Sequence, residues 1–310
     1  MRTEHTFLSA DGKTGIHAVK RVPDSGECKA ILQIVHGMVE YIERYEAFAA
    51  YMEQNGILVV GHDHLGHGES VASRDQWGYF APGHPSDILV EDIHALRLQT
   101  QQAYPDLPYF ILGHSMGSYL LRKYIAIYGE GLSGVILSGT GYVSPSACAV
   151  AGKLCGLIAA FRGWEYRSKF ISSLAFGKSY QRFDMTGSKP ELSWLTKDVS
   201  IVERYYKDPK CTYTFTLNGY LGLFESVGFD CRRENVDKIP KNLPVLIVSG
   251  RDDPVGDLGV GVLKVNEMFK AAGLKDLTCR LYEHDRHESL NELDKDQVFL
   301  DILTWIQRRV

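Results

Sequence analysis

Nowhere do the 310 residues stay apolar long enough to cross a bilayer as a helix. The softest stretch, Ala147 to Phe161, is broken by Lys153 and falls short of the roughly 20 residues such a span needs. The opening Met1-Arg-Thr-Glu-His-Thr6 lacks the apolar core of a secretory leader, and the six cysteines (Cys28, Cys148, Cys155, Cys211, Cys231, Cys279) include no C-x-x-C pair. Reduced thiols in a cytoplasmic protein are therefore expected. Excess positive charge is missing too: 34 Lys and Arg stand against 38 Asp and Glu, a formal net charge of −4, with no block of like charge. Such a chain has no broad basic field for a phosphate backbone, so no nucleic-acid partner is expected. Repeats and low-complexity segments are absent, and a hydrophobic fraction of 45% excludes disorder as the default state.

What is present is a rhythm of elements. Glu4–Leu8 and Ile16–Lys20 alternate polar and apolar residues about Asp11-Gly12, as an antiparallel hairpin at a sheet edge does. Lys29–Val35, Ile57–Val60, Tyr109–Leu112 and Gly134–Ser138 are short continuous apolar runs, the mark of strands covered on both faces. Helical periodicity separates them over Ile42–Met52, Ile88–Tyr104 and Ser118–Tyr128. From about Ser144 to Val236 no buried strand can be read. Alternation then resumes with a strand over Leu243–Ser249, a helix near Leu263–Ala272, a strand over Leu277–Tyr282 and a helix over Asp296–Arg309. The expected fold is α/β: a mostly parallel central sheet with helices on both faces. Residues 1–143 and 237–310 would form its two parts, with 144–236 as an inserted helical cap.

One strand ends in chemistry. Gly113-His-Ser-Met-Gly117 is a G-x-S-x-G sequence between a buried strand and a helix. In a nucleophile elbow the serine takes strained backbone angles, and glycines two positions to either side remove the collisions this causes. Ser115 would then stand at a helix N-terminus, whose partial positive charge favours a developing oxyanion. In an α/β-hydrolase sheet the acid and the histidine follow in that order on late loops. Asp252 and Asp253 follow the strand ending at Ser249-Gly250, and Asp253 is preferred for its G-x-x-D spacing. His284 and His287 follow the last strand, and His287 is preferred because it leads into the turn toward the final helix. His287 would take the Ser115 proton while Asp253 orients the imidazole. The amides of Met116 and Met38 would hold the oxyanion, Met38 because His36-Gly37 ends an early buried strand and Gly37 frees the backbone to turn.

These residues resemble the monoacylglycerol lipase and lysophospholipase-like branch of the serine α/β-hydrolases, over nearly the whole chain. The resemblance rests on His36-Gly37-Met38 with Glu40, Arg44 and Tyr45, on Asp63-His-Leu-Gly-His-Gly-Glu-Ser70, on the elbow, on Gly250-Arg-Asp-Asp-Pro-Val255 and on Arg286-His-Glu-Ser-Leu-Asn-Glu292. It implies hydrolysis of carboxylic esters of single-chain lipids through an acyl-enzyme on Ser115, without cofactor or metal. It also implies a polar head-group site at Glu40 and Arg44. Three positions depart from the pattern: Val39 replaces a glycine, Tyr41 a histidine and Leu65 an arginine. They bear on the head-group pocket more than on the chemistry.

Other readings stand beside this one. His62, His64 and His67 with Asp63 have the spacing of a metal cluster, but a complete serine triad leaves a metal no task. A fold that binds ligands without catalysis would have lost a triad member, and none is missing. A peptidase or thioesterase would use the same triad. Residues 145–235 carry 15 of the 34 aromatic residues, with 13 Lys and Arg against 9 Asp and Glu. Aromatics over a catalytic serine would line an acyl tunnel, with Phe170, Ile171 and Trp194 as candidate walls; the alternative is that they form the cap's own small core. A basic lid also suits transient contact with an anionic or zwitterionic lipid surface.

Overall fold

A computed structural model describes residues 1–24 and 26–310. Among these the strands β1 (Arg2–Leu8), β2 (Gly15–Arg21), β3 (Ala30–Val35), β4 (Ile57–His62), β5 (Tyr109–His114), β6 (Gly134–Ser138), β7 (Val245–Gly250) and β8 (Leu277–Tyr282) form one sheet in the order β1-β2-β4-β3-β5-β6-β7-β8. β1 and β2 are the expected antiparallel hairpin, and β2 joins β4 antiparallel; every later pairing is parallel.

Helices cover both faces. α1 (Glu46–Gln54) and the C-terminal α10 (Lys295–Gln307) lie on one, with Phe48, Met52, Phe299, Ile302 and Ile306 packed against Leu32, Ile34, Leu112 and Val248. α2 (Pro85–Ala103), α3 (Met116–Tyr128) and α9 (Val260–Ala271) lie on the other, meeting Ile31, Val35, Ile111, Leu137 and Ile247. Odd and even positions of one strand thus go to different cores, which is why β3 to β7 read as unbroken apolar runs. The outermost β8 alternates between exposed and half-buried residues, as an edge strand with one covered face does. Element boundaries moved by a few residues. The helix read over Ile42–Met52 is a tight turn at Ile42–Tyr45 followed by α1, and α2 begins three residues earlier than its periodicity suggested, with Pro85 in its first turn.

Between β6 and β7 the chain forms α4 (Pro145–Arg162), α5 (Lys169–Ala175), α6 (Val199–Lys207), α7 (Leu217–Asp230) and α8 (Arg233–Val236), and contributes no strand to the sheet. α7 packs on α2 and α3 as well as on α4. No described helix is long and apolar enough to cross a membrane. The strand order places the crevice between β3 and β5, where successive connections leave in opposite directions along the sheet. Ligand sites of open parallel sheets form at such a switch point, beyond the carboxyl ends of the strands.

Candidate active site

β3 and β5 pair with Val35 opposite Gly113, so the loop after β3 and the turn after β5 start side by side. Ser115 takes φ 52° and ψ −121°, the strained geometry expected of an elbow. A side chain at Gly113 would run into the Gly117 carbonyl, and one at Gly117 into the carbonyls of Val35 and His36. Only glycine lets the elbow seat against β3. Gly37 is confined by side chains, since a Cβ there would lie 2.6 Å from the Glu40 carboxylate and 3.0 Å from the Ser115 Cβ. From Tyr109 to Ile125 Ser115 alone is not buried.

Asp253 and His287 are both buried, and the imidazole Nδ1 lies 3.0 Å from each Asp253 carboxylate oxygen. That carboxylate is itself fixed: the Val255 N–H donates to Oδ1 at 2.8 Å and the Ser249 hydroxyl to Oδ2 at 3.1 Å. With Nδ1–H donating to Asp253, Nε2 is left as the base. Burial alone would lower the imidazole pKa, yet the Asp253 charge and hydrogen bond outweigh it and raise the value above the ordinary 6.5. Asp252 is partly exposed and pairs with Arg182 at 3.1 Å, and His284 is exposed in a left-handed turn. Neither is placed for the roles given to its neighbour.

Ser115, Met38, Met116 and His287 share the wall of one cavity of about 450 Å³. Its apolar arm runs past Tyr119, Cys148, Leu223, Phe224 and Val227, and another wall is built by Leu174, Phe176 and Tyr180. Cys148 and Phe224 also line a separate surface cavity of about 410 Å³, so they partition the two. Trp194 lies on the cavity wall, where its ring stacks on His287 with centroids 5.1 Å apart. Phe170 and Ile171 require correction as tunnel walls. The cavity reaches only the last turn of α5; one turn earlier Phe170 is 56% exposed and Ile171 is packed into the core.

The polar end of the cavity holds Glu40, Arg44, Tyr205 and Glu288. Arg44 donates to Glu40 at 2.6 Å and, through both terminal nitrogens, to Glu288 at 2.8 and 2.7 Å. Against the burial that raises it, Arg44 draws the Glu288 carboxyl down to about 2, while burial leaves Glu40 raised. In the sequence Glu288 stands only as a member of the Arg286–Glu292 motif, with no role of its own. Val39, the residue standing for a glycine, has φ 55°, a left-handed conformation that costs an L-residue about 1–2 kcal/mol and suits a β-branched one least.

His36, His62, His64 and His67 cluster behind the loop after β3, all fully buried. His36 Nε2 accepts from the His64 backbone N–H at 2.9 Å, and the His64 ring lies 3.1 Å from the His36 carbonyl, so these two shape the loop through local hydrogen bonds. Among the described residues no three of His, Cys, Asp or Glu are arranged to hold a metal ion.

A strained serine at a helix N-terminus, a buried imidazole held by a carboxylate and a loop that brings Gly37 against the nucleophile can carry out acyl transfer. Comparison with known proteins agrees. The family described as "Serine aminopeptidase, S33" matches residues 26–294. The chain is 26% identical to the monoacylglycerol lipase of Mycolicibacterium smegmatis, over 98% of this chain and 97% of that one. It is 28% identical to the monoglyceride lipase of Rattus norvegicus, over 92% and 85%. Its fold superposes on a thermostable carboxyl esterase from Bacillus coagulans, solved with glycerol, with a TM-score of 0.90 and 31% identity over 100% of this chain and 99% of the other.

Proposed function

Because the chain belongs to the serine aminopeptidase S33 family of hydrolases, we propose that it cleaves carboxylic esters of single-chain lipids, of the monoacylglycerol or lysophospholipid type, through an acyl-enzyme on Ser115. The observation that carries this reading is that His287, held by Asp253, stands with Ser115 on the wall of one largely apolar cavity. His287 Nε2 takes the Ser115 hydroxyl proton as Oγ bonds to the carbonyl carbon, and the resulting oxyanion is held by the amides of Met38 and Met116. Collapse expels the alcohol, which receives its proton from His287. Water then repeats the sequence on the acyl-enzyme and releases the fatty acid.

The acyl chain lies in the arm past Tyr119, Leu223 and Val227, a volume within the usual 300–1,000 Å³ of small-molecule sites. Cleavage of peptides is the weaker reading. The curated relatives are monoacylglycerol and monoglyceride lipases, and an acyl chain matches the largely apolar lining of the cavity. One face of α4 presents Val150, Leu157 and the 83% exposed Phe161 beside the exposed Lys153 and Arg162, with Phe170 and Lys169 of α5 nearby in sequence. An apolar patch rimmed by cations supports transient docking on a lipid surface. Six free cysteines favour a reducing, cytoplasmic workplace.

A hydrolysis screen over p-nitrophenyl esters, monoacylglycerols, lysophospholipids and aminoacyl amides tests the assignment, with Ser115→Ala as control. The expected outcome is preference for single-chain esters, and loss of both turnover and fluorophosphonate labelling in a folded Ser115→Ala protein. Fastest cleavage of aminoacyl amides, or undiminished labelling of the variant, would overturn it.

A further inference from the structure

Arg44 was expected to meet a substrate head group, but its partners point elsewhere. Its guanidinium lies between two carboxylates, Glu40 and Glu288, and under the Tyr205 ring, whose centroid is 4.8 Å away. Two anions around one cation leave no net positive charge to offer a ligand. Both carboxylates are buried and reach in different directions. Glu40 Oε1 accepts from the Gly37 N–H and from the Tyr45 hydroxyl, gripping the loop that follows β3. Glu288 follows His287 directly, and its own N–H donates to the Leu195 carbonyl at 2.7 Å. Between Gly37 and Glu40 lies Val39 in its left-handed conformation, with its carbonyl 3.4 Å from the Tyr205 hydroxyl that donates to it. A strained segment keeps such a shape only where its surroundings over-determine it.

We propose that Arg44 is a positioning residue: by pairing with Glu40 and Glu288 it locks the oxyanion loop to the loop that carries His287. The proposal rests on the serine hydrolase reading. The clamp fixes the Met38 amide relative to Ser115 and the base, so its energy is realised when negative charge develops on the carbonyl oxygen, not when the ester binds. Glu40, Arg44 and Glu288 act as one unit, and the bidentate geometry at Glu288 needs the planar fork of arginine, which lysine cannot reproduce.

The test compares Arg44→Lys, Arg44→Met and the neutral triple variant Glu40→Gln/Arg44→Met/Glu288→Gln, which leaves no buried carboxylate unpaired if Arg44→Met alone fails to fold. Each is assayed on p-nitrophenyl butyrate, which has no glycerol, and on monobutyrin, and titrated with a trifluoromethyl ketone that forms a tetrahedral oxyanion. Folding is checked by circular dichroism. The expected result is a fall in kcat of about 10²–10³ on both esters by a common factor, the size seen when one oxyanion donor is lost. KM should stay within about threefold, and ketone affinity should fall in parallel with kcat/KM. A loss confined to KM for monobutyrin would overturn the proposal in favour of a head-group site. Lowered stability with unchanged kcat would reduce Arg44 to a structural brace and overturn it equally. A wild-type protein inert to both esters and to a fluorophosphonate would remove the hydrolase reading, and the clamp with it.

Discussion

Phe224 and Cys148 form the partition between the cavity that holds Ser115 and a neighbouring cavity open to the surface between α4 and α7. Replacing Phe224 by alanine removes the larger half of that partition and joins about 450 Å³ to about 410 Å³. Each acyl methylene taken from water contributes about 0.8 kcal/mol, so in the wild type kcat/KM should rise by up to about fourfold per methylene until the chain end meets the partition, and then level off. In Phe224→Ala the rise should continue through longer chains, with the same slope below the wild-type optimum. Phe224 is only partly buried, so the loss of stability should be about 2 kcal/mol, less than for a phenylalanine in a closed core. The assay is kcat/KM across p-nitrophenyl esters from acetate to palmitate, with urea unfolding as a check on folding. An optimum that stays at the wild-type length while the variant remains folded would show that the acyl chain does not run toward Phe224, and would refute the argument.

Asp253→Asn should lower kcat by about 10⁴ by leaving the imidazole in the wrong tautomer, whereas Asp252→Asn, which loses only an ion pair with the half-exposed Arg182, should retain most activity. Steady-state kinetics on one ester ranks the two, and the reverse order would move the acid by one position. His287 must be neutral to accept a proton and its pKa is raised, so kcat/KM should fall on acidification with a midpoint above 6.5; the residual activity of Asp253→Asn should show a lower midpoint, since the charge that most opposes burial is gone and only Glu288 and Glu40 still counter it. His62 supplies a stability test: it is fully buried, neither ring nitrogen has a partner among the described residues, and burial holds its pKa well below 6.5. The unfolded chain takes up a proton there that the folded chain refuses, so stability is full above pH 6.5 and is lost as pH falls. His62→Leu should therefore gain on the wild type by about 1.4 kcal/mol per pH unit below 6.5, read from urea midpoints between pH 7.5 and 5; a constant gap would count against it.

The parts of this site that the sequence made legible are those where backbone geometry restricts the residue type. Gly113 and Gly117 are written into the chain because a Cβ at either would strike backbone, and the elbow and the parallel strands around it were readable for that reason. The order Ser115, Asp253, His287 was readable because each residue follows a strand: β5 and β7, buried on both faces, read as apolar runs, and the edge strand β8 as an alternation. What stayed hidden depends on pairings between distant segments. Glu288 lies 244 positions from Arg44, and no local pattern links them. The cavity wall on α5 stays hidden for a similar reason: the period of α5 identifies its faces but not which turn reaches the cavity, and that turn bears Leu174, not Phe170 or Ile171.

The departure at Val39 joins these two levels. A valine in place of glycine reads in sequence as a change in the shape of the head-group pocket, but in the structure it is a change in the cost of the oxyanion loop, because its φ is 55°. Its neighbour is Met38, whose amide is proposed to hold the oxyanion. Glu40 holds the far side of the same residue through Gly37, and Arg44 ties Glu40 to the histidine loop. Strain in one residue and a buried ion-pair bridge next to it are thus two parts of one arrangement, in which the loop is kept in a shape it would not choose alone.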